Sequence, residues 1–327
     1  MTKRFQLLLL FCITLLMHSA FSQNWGELKL TAGDGAFGDN FGWSVAISGN
    51  RLIVGAPQDD SNGSSSGSAY IFVNTGSGWV EEAKLIPSDG ASSNWFGSSV
   101  DIDSNYAVVG APYNPGQPGR GRAYIFKYQG GAWVEQAQLV PEDTSIGTFF
   151  GISVSISGEY ALIGAYWENG VSSSSGAAYI FHRSDTIWTR QARLLASDGE
   201  SFDHFGNAVA LDGDYAIIGA KDDNDNGNNS GSAYVFHREG HAWMEQAKLL
   251  ASDGNSQDNF GVSVAIKGSL AIVGANMLFN YLTGAAYIFR RDSTHWNEIA
   301  KLTASDVASR DEFGISVDIS EGFALVG

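Results

Sequence analysis

The run Asp222-Asp223-Asn224-Asp225-Asn226-Gly227 is the part of this chain best equipped to hold a hard cation. Asp222, Asn224 and Asn226 stand at alternate positions ahead of a glycine, which matches the opening of a D-x-[DN]-x-[DN]-G loop, and Asp225 adds another carboxylate. Calcium gathers several oxygen ligands from a chain turned this tightly. The twelfth position of such a loop is Ala233 and not a bidentate glutamate, so a closing ligand has to come from elsewhere. A solvated acidic turn is the competing reading of the same residues. Asp59, Asp60 and Asn62 repeat the pattern more weakly, and Ca2+ is the one cofactor suggested.

A second set of residues suits binding. Trp95, Tyr113, Tyr166, Trp167, Phe279 and Tyr281, with Phe37 and Phe202, fall in loop segments and could stack on sugar rings or anchor a protein interface. Packing over the ends of strands is their alternative role. Acids recur in pairs seven and two residues ahead of a Phe-Gly dipeptide: Asp34 with Asp39, Asp198 with Asp203, Asp253 with Asp258, and Asp306 with Asp311. Asp89 pairs with Asn94, and Asp143 with Thr148. Their repetition points to a structural task, an Asp before Gly hydrogen-bonding its own turn. Catalytic chemistry is poorly provided for. His182 and His237 share one repeat position, and His204, His241 and His295 are isolated loop histidines. No residue is assigned a catalytic role, and the chain is not read as an enzyme.

The elements that must position these loops follow from an internal repeat. Phe-Gly begins at Phe41, Phe96, Phe150, Phe205, Phe260 and Phe313, with spacings of 55, 54, 55, 55 and 53 residues. A Gly-Ala pair follows each of the first five by 14 residues, and Gly327 keeps the same register after Phe313. An Ala-Tyr-(Ile/Val)-Phe segment and a tryptophan that opens a Glu-Ala-Lys-Leu-like run keep step. In the first period, residues 42–48, 51–56, 69–73 and 79–86 read as four strands. Four antiparallel strands cannot bury both faces alone, so neighbouring units stack, and radial stacking of such units makes an all-β propeller. Five complete blades and a partial sixth are expected, with six or seven in the full protein. Residues 25–30 match a fourth strand and would complete the last blade of a closed ring, whereas the sequence stops after the second strand of its sixth unit, as a truncated propeller would.

Links between strands one and two are two-residue turns such as Gly49-Asn50, and those between strands three and four are also short. The second-to-third and fourth-to-first links run to about ten residues and emerge at the same end of each blade. One face of the disc therefore carries the long, acidic and aromatic loops.

Phe41-Gly42-Trp43-Ser44-Val45-Ala46 with Val54-Gly55-Ala56-Pro57, and Phe96-Gly97 with Val109-Gly110-Ala111-Pro112, resemble the FG-GAP repeat. The likeness extends over nearly the whole chain beyond the leader, to the integrin α-subunit propeller and more closely to secreted bacterial FG-GAP proteins. It implies an extracellular recognition or adhesion module, often calcium-stabilised and usually seven-bladed. The family's calcium loop lies between the Phe-Gly and Gly-Ala-Pro strands. Here that place holds a tight turn, so those ligands are not carried over.

Residues 1–22 read as a signal peptide, with Lys3 and Arg4 ahead of an apolar run of 11 residues at 7–17 and Ala20-Phe21-Ser22 before the cut. The run is too short to span a bilayer as a helix. Residues 23–327 are then the propeller. The sole cysteine, Cys12, leaves with the leader, so the core must hold the mature chain without disulfides. Removing Lys3 and Arg4 takes the net charge from −16 to −18, which argues against nucleic acid or anionic membrane as partners. The expected role is secreted or cell-surface recognition of a protein through the long-loop face. Binding of an extracellular polysaccharide is the second reading, and service as a non-catalytic domain of a larger exported enzyme the third.

Overall fold

A computed structural model describes residues 28–113, 120–140, 147–276, 283–306, 311–320 and 322–327. The expected leader, residues 25–27 of the expected first strand, Asp143, Phe279 and Tyr281 lie outside the described residues. The chain divides into Met1–Leu30, of which residues 28–30 are described and irregular, and Thr31–Gly327, which holds every strand. Among the described residues no helix is long and apolar enough to cross a membrane.

Blade one is β1 (Ser44–Ser48), β2 (Arg51–Ala56), β3 (Ser68–Asn74) and β4 (Trp79–Leu85), hydrogen-bonded in that order and antiparallel throughout. The second is β5 (Ser99–Asp103), β6 (Tyr106–Ala111), β7 (Arg122–Gln129) and β8 (Ala132–Leu139); the third is β9 (Val154–Ser157), β10 (Tyr160–Ala165), β11 (Ala177–Ser184) and β12 (Ile187–Leu194). The fourth is β13 (Val209–Asp212), β14 (Tyr215–Ala220), β15 (Ser232–Glu239) and β16 (Ala242–Leu249), and the fifth β17 (Ser263–Lys267), β18 (Leu270–Ala275), β19 (Ala285–Asp292) and β20 (His295–Leu302). β21 (Val317–Ile319) and β22 (Ala324–Val326) pair as a sixth, partial sheet. The fold is the expected all-β propeller architecture of four-stranded antiparallel blades.

The core lies between blades. Phe96 is fully buried in a cluster that joins Ile53, Ile71 and Leu85 of blade one to Val100, Val109 and Tyr124 of blade two. Phe150, Phe205 and Phe260 occupy the same place in later clusters, each ring edge-on to the tyrosine and phenylalanine of its blade's third strand. Such contacts add to the burial of large rings. The tryptophans stitch neighbours together: Trp133 Nε1 donates to Glu82, Trp188 to Gln136, Trp243 to Gln191 and Trp296 to Gln246, all one blade back.

The glycine markers have a steric cause. A Cβ on Gly110 would stand 2.0 Å from the Gly151 carbonyl oxygen, and one on Gly164 would stand 2.1 Å from that of Gly206. The Gly of Gly-Ala thus admits the backbone of the next blade's Phe-Gly, where Ser99 and Ser153 hydroxyls donate to the same two carbonyls. The second glycine is itself left-handed, with φ 89° at Gly151 and 93° at Gly206. The repeat is therefore written in residues that let blades touch.

Candidate functional site

The long links do converge on one end. The β2–β3 loop of blade one accepts backbone hydrogen bonds from the segment that enters blade two, at Ser93, Trp95 and Phe96, and the pattern recurs at Phe202 and Phe205 and at Gln257, Asn259 and Phe260. In blades one, three and four the loop is thus clamped to the entry of the next blade.

The paired acids divide into two jobs. Two residues before Phe-Gly, Asp39, Asp203 and Asp258 accept from the backbone N–H of Ala36, Glu200 and Asn255, closing their own turns as the sequence suggests. Seven residues before it, Asp34, Asp198 and Asp253 instead accept from the hydroxyls of Tyr70, Tyr234 and Tyr287 at 2.8–2.9 Å and pair with Lys84, Lys248 and Lys301. The local-turn expectation fails for this half, because the partners are strand residues far along the chain. In blade two Asp89 takes the Tyr124 hydroxyl and pairs with Arg122. In blade three Glu168, from the β10–β11 loop, takes the Tyr179 hydroxyl and pairs with Arg193.

Hydrogen bonding by Lys84 holds the Asp34 carboxyl below its ordinary value, and Lys301 does the same for Asp253. Burial works against ionisation of Asp198, yet Lys248 and Tyr234 keep its carboxyl low too. Burial, reinforced by the neighbouring carboxylate, raises the tyrosines, Tyr287 up to about 12.

The four proposed calcium ligands are drawn to separate partners. Asp222 Oδ2 stands 2.5 Å from His204 Nδ1 and 2.8 Å from Lys221 Nζ. Asn224 Oδ1 accepts from the Asn229 N–H, Asp225 pairs with Lys248, and the Asn226 N–H donates to Ser230. Asp223, buried between them, takes Ser232, Tyr234 and Lys248. The cation at the centre of Asp198, Asp223 and Asp225 is the Lys248 ammonium, at 2.8–2.9 Å from each. Blade one is built alike, with Lys84 between Asp34 and Asp59.

The aromatic candidates come together where described. Trp95 lies 4.6 Å from Tyr113 between ring centroids, Tyr113 lies 5.1 Å from Phe149, and Phe149 lies 5.4 Å from Tyr166 and 6.3 Å from Trp167. Trp167 then stacks on the His204 imidazole at 5.3 Å, with Tyr166 and Phe202 edge-on to it. His204 passes the row to Asp222, whose Oδ1 accepts from Asn259 Nδ2 of the next blade. The result is a rail over blades two to five, aromatic at one end and polar at the other. Phe37 is fully exposed.

Phe149 and His204 belong to this rail although the sequence did not single them out for it. Both immediately precede a Phe-Gly, as do Asn40, Trp95, Asn259 and Glu312, and all six have left-handed φ of 53–58°. A position that is conformationally fixed yet takes five residue types in six repeats was the available signal. His204 seemed isolated because its partner Asp222 lies 18 residues on, in a different loop.

Asp222 accepts only, so His204 Nδ1 carries the shared proton. Burial opposes charge on Asp222, but His204 and Lys221 hold its carboxyl below the ordinary value. His204 Nε2, Asn259 Oδ1 and Asn276 Oδ1 are buried without a hydrogen-bond partner among the described residues. Asn276 follows β18 as Tyr166 follows β10 and Lys221 follows β14, the same loop position in three successive blades.

A comparison with curated proteins finds no match. The FG-GAP repeat family model matches residues 25–72, 79–126, 133–181, 188–236, 243–289 and 296–327. The four matches between residues 79 and 289 start on the fourth strand of one blade and end in the third of the next, so the sequence unit straddles the very interface that Phe-Gly and Gly-Ala build. With six matched repeats over most of its length and blades whose contacts explain the repeat's fixed residues, the chain belongs to the FG-GAP repeat family.

Proposed function

We propose that this chain is a secreted or cell-surface recognition module whose ligand lies across the rail on the long-loop face. The observation that carries the reading is the continuous row from Trp95 to His204, assembled from positions that differ between otherwise regular repeats. Residues selected for packing repeat with the blade, as Phe96, Phe150 and Phe205 do. Residues of the rail do not, and Trp167 at 42% exposure keeps ring surface open to a partner. Family membership supports the same role, since FG-GAP propellers are typical of extracellular recognition.

The rail offers anchors of the kind that dominate binding energy, rings of large area held by a rigid scaffold. The test uses purified chain against immobilised extracellular proteins and polysaccharides, with Trp167→Ala/Tyr166→Ala as the rail variant and Glu239→Ala as the control at the short-loop end. Loss of any captured ligand by the rail variant alone is expected. Equal capture by both variants would move the binding surface elsewhere.

A further inference from the structure

We propose that the rail takes a neutral glycan, with pyranose faces on the Trp95-to-Trp167 rings and hydroxyls donating to the polar end at Asn259. This rests on the reading that a ligand docks on the long-loop face, and it names the ligand's chemistry.

Charge comes first. Asp222, the carboxylate that joins the row, is already matched by Lys221 at 2.8 Å and by the His204 ring. Glu168, next to Trp167, is paired with Arg193 and takes the Tyr179 hydroxyl. A cationic ligand would therefore meet Lys221 beside a carboxylate that is already neutralised. An anionic ligand would approach a chain of net charge −16. Local neutrality favours an uncharged partner.

Hydrogen-bonding capacity comes next. The enclosed amide oxygens Asn259 Oδ1 and Asn276 Oδ1 each want a donor. The Asn259 amide is oriented by its own bonds, because Nδ2 donates to the Lys221 carbonyl and to Asp222 Oδ1, which leaves Oδ1 as the free end. Asn259 and Asn276 are each 2% exposed, so an unmade bond there is costly. Both are acceptors. A peptide brings a carbonyl with nearly every N–H it offers, and those carbonyls would need donors of their own. A sugar hydroxyl donates inward and accepts from water on its open side.

Shape completes the case. Pyranose rings present C–H faces that stack on aromatic rings, and a chain of them matches a row of rings better than a single pocket would. Trp167 and Phe202, at 42% and 54% exposure, lie against the imidazole and keep ring surface open to a ligand. The sequence alone ranks a protein ligand first; the unmatched acceptors and balanced charge reverse that order.

The experiment is a tryptophan-fluorescence titration of the chain with neutral hexasaccharides of glucose, xylose, mannose and N-acetylglucosamine. At least one is expected to change the emission with little dependence on salt, since no charge is neutralised. Trp167→Ala should weaken it by about tenfold or more, and Trp167→Phe should recover part of the loss. Unchanged thermal unfolding of both variants separates lost contact from lost fold. Failure of every hexasaccharide to titrate overturns the proposal, as does a response that Trp167→Ala and Tyr166→Ala leave intact. A protein ligand lost with Trp167→Ala, in the absence of any glycan response, sinks the glycan class while leaving the loop-face reading standing.

Discussion

Tyr234 shares its hydroxyl between Asp198 and Asp223 while Lys248 reaches the same two carboxylates and Asp225. Asp223 has only 5% of its side chain exposed, so the ammonium is its main charge partner in a place with little water. Lys248→Met should cost roughly 3 kcal/mol, because it strands a buried carboxylate, whereas Tyr234→Phe should cost about 1 kcal/mol, the worth of one hydrogen bond. Chemical denaturation of the two variants measures both. With an ammonium already placed among the acids, melting of the parent chain is expected to be unmoved by calcium or chelator. A calcium-induced rise in Tm abolished by Asp222→Ala would contradict that expectation.

The same residues set the dependence on pH. Asp34, Asp198 and Asp253 are held below their unfolded values, so their contribution is present above about pH 4 and is lost as pH falls through the folded values. Asp101 runs the other way. Burial lifts it to about 6, outweighing hydrogen bonds from Ile156, Ile102 and Ser155, so the native state binds its proton more tightly than the unfolded chain. Stability from this group is fully present below about pH 4 and is lost as pH rises to about 6. Asp101→Asn should remove that downward slope while leaving the acid limb of the profile in place. A profile of unfolding free energy against pH, unchanged by the substitution, would refute the assignment.

At the scale of strands and loops, what was legible in the sequence is what the repeat enforces. Phe-Gly, Gly-Ala and the tryptophan recur because every blade must admit its neighbour in the same way, so the strands, their order and the long-loop face could be read without coordinates. The loop contents could not. Asp34 reaches Tyr70 and Lys84 across 36 and 50 residues, a pairing that no local pattern records. Phe149 was hidden in the doublet Phe149-Phe150, where the fixed residue of the repeat drew attention from the variable one. Five of the aromatic binding candidates do share a surface, whereas the acidic run is dispersed among His204, Lys221, Lys248 and nearby backbone. Period betrays packing, but only the folded loops reveal which variable positions meet.

One element-level consequence concerns the tryptophan that opens each fourth strand. Trp243 is 8% exposed, and its Nε1 donates to Gln191 on β12 of the preceding blade. Gln191→Leu leaves that N–H enclosed without an acceptor and should cost about 1–2 kcal/mol. Gln191→Glu keeps an acceptor, as Glu82 does for Trp133, and should cost less. Thermal unfolding of the pair distinguishes a bond that matters from simple packing.

Across the whole molecule, each blade buries its apolar face on the next, so stability is close to a sum of blade terms and nearest-neighbour terms. Val100 and Ile102 show the coupling, being 8% and 4% exposed under blade one, while Val45 and Ile47 at the same positions of blade one are 65% and 61% exposed. Gly164 sits where blades three and four touch, and a Cβ there would meet the Gly206 carbonyl at 2.1 Å, which no side-chain adjustment relieves. Gly158, in the β9–β10 turn, has φ of 58° and open space around a Cβ. Gly158→Ala should therefore cost about 1 kcal/mol from backbone conformation alone and leave unfolding cooperative. Gly164→Ala should cost roughly 3 kcal/mol or more and weaken one joint in the stack, so that blades on either side unfold in separate steps. Hydrogen exchange read blade by blade reports the difference: protection should fall first in the blades flanking the Gly164 joint. A uniform fall across all blades in both variants would mean that the array behaves as a single cooperative body, and that the neighbour terms are too strong for one altered contact to divide it.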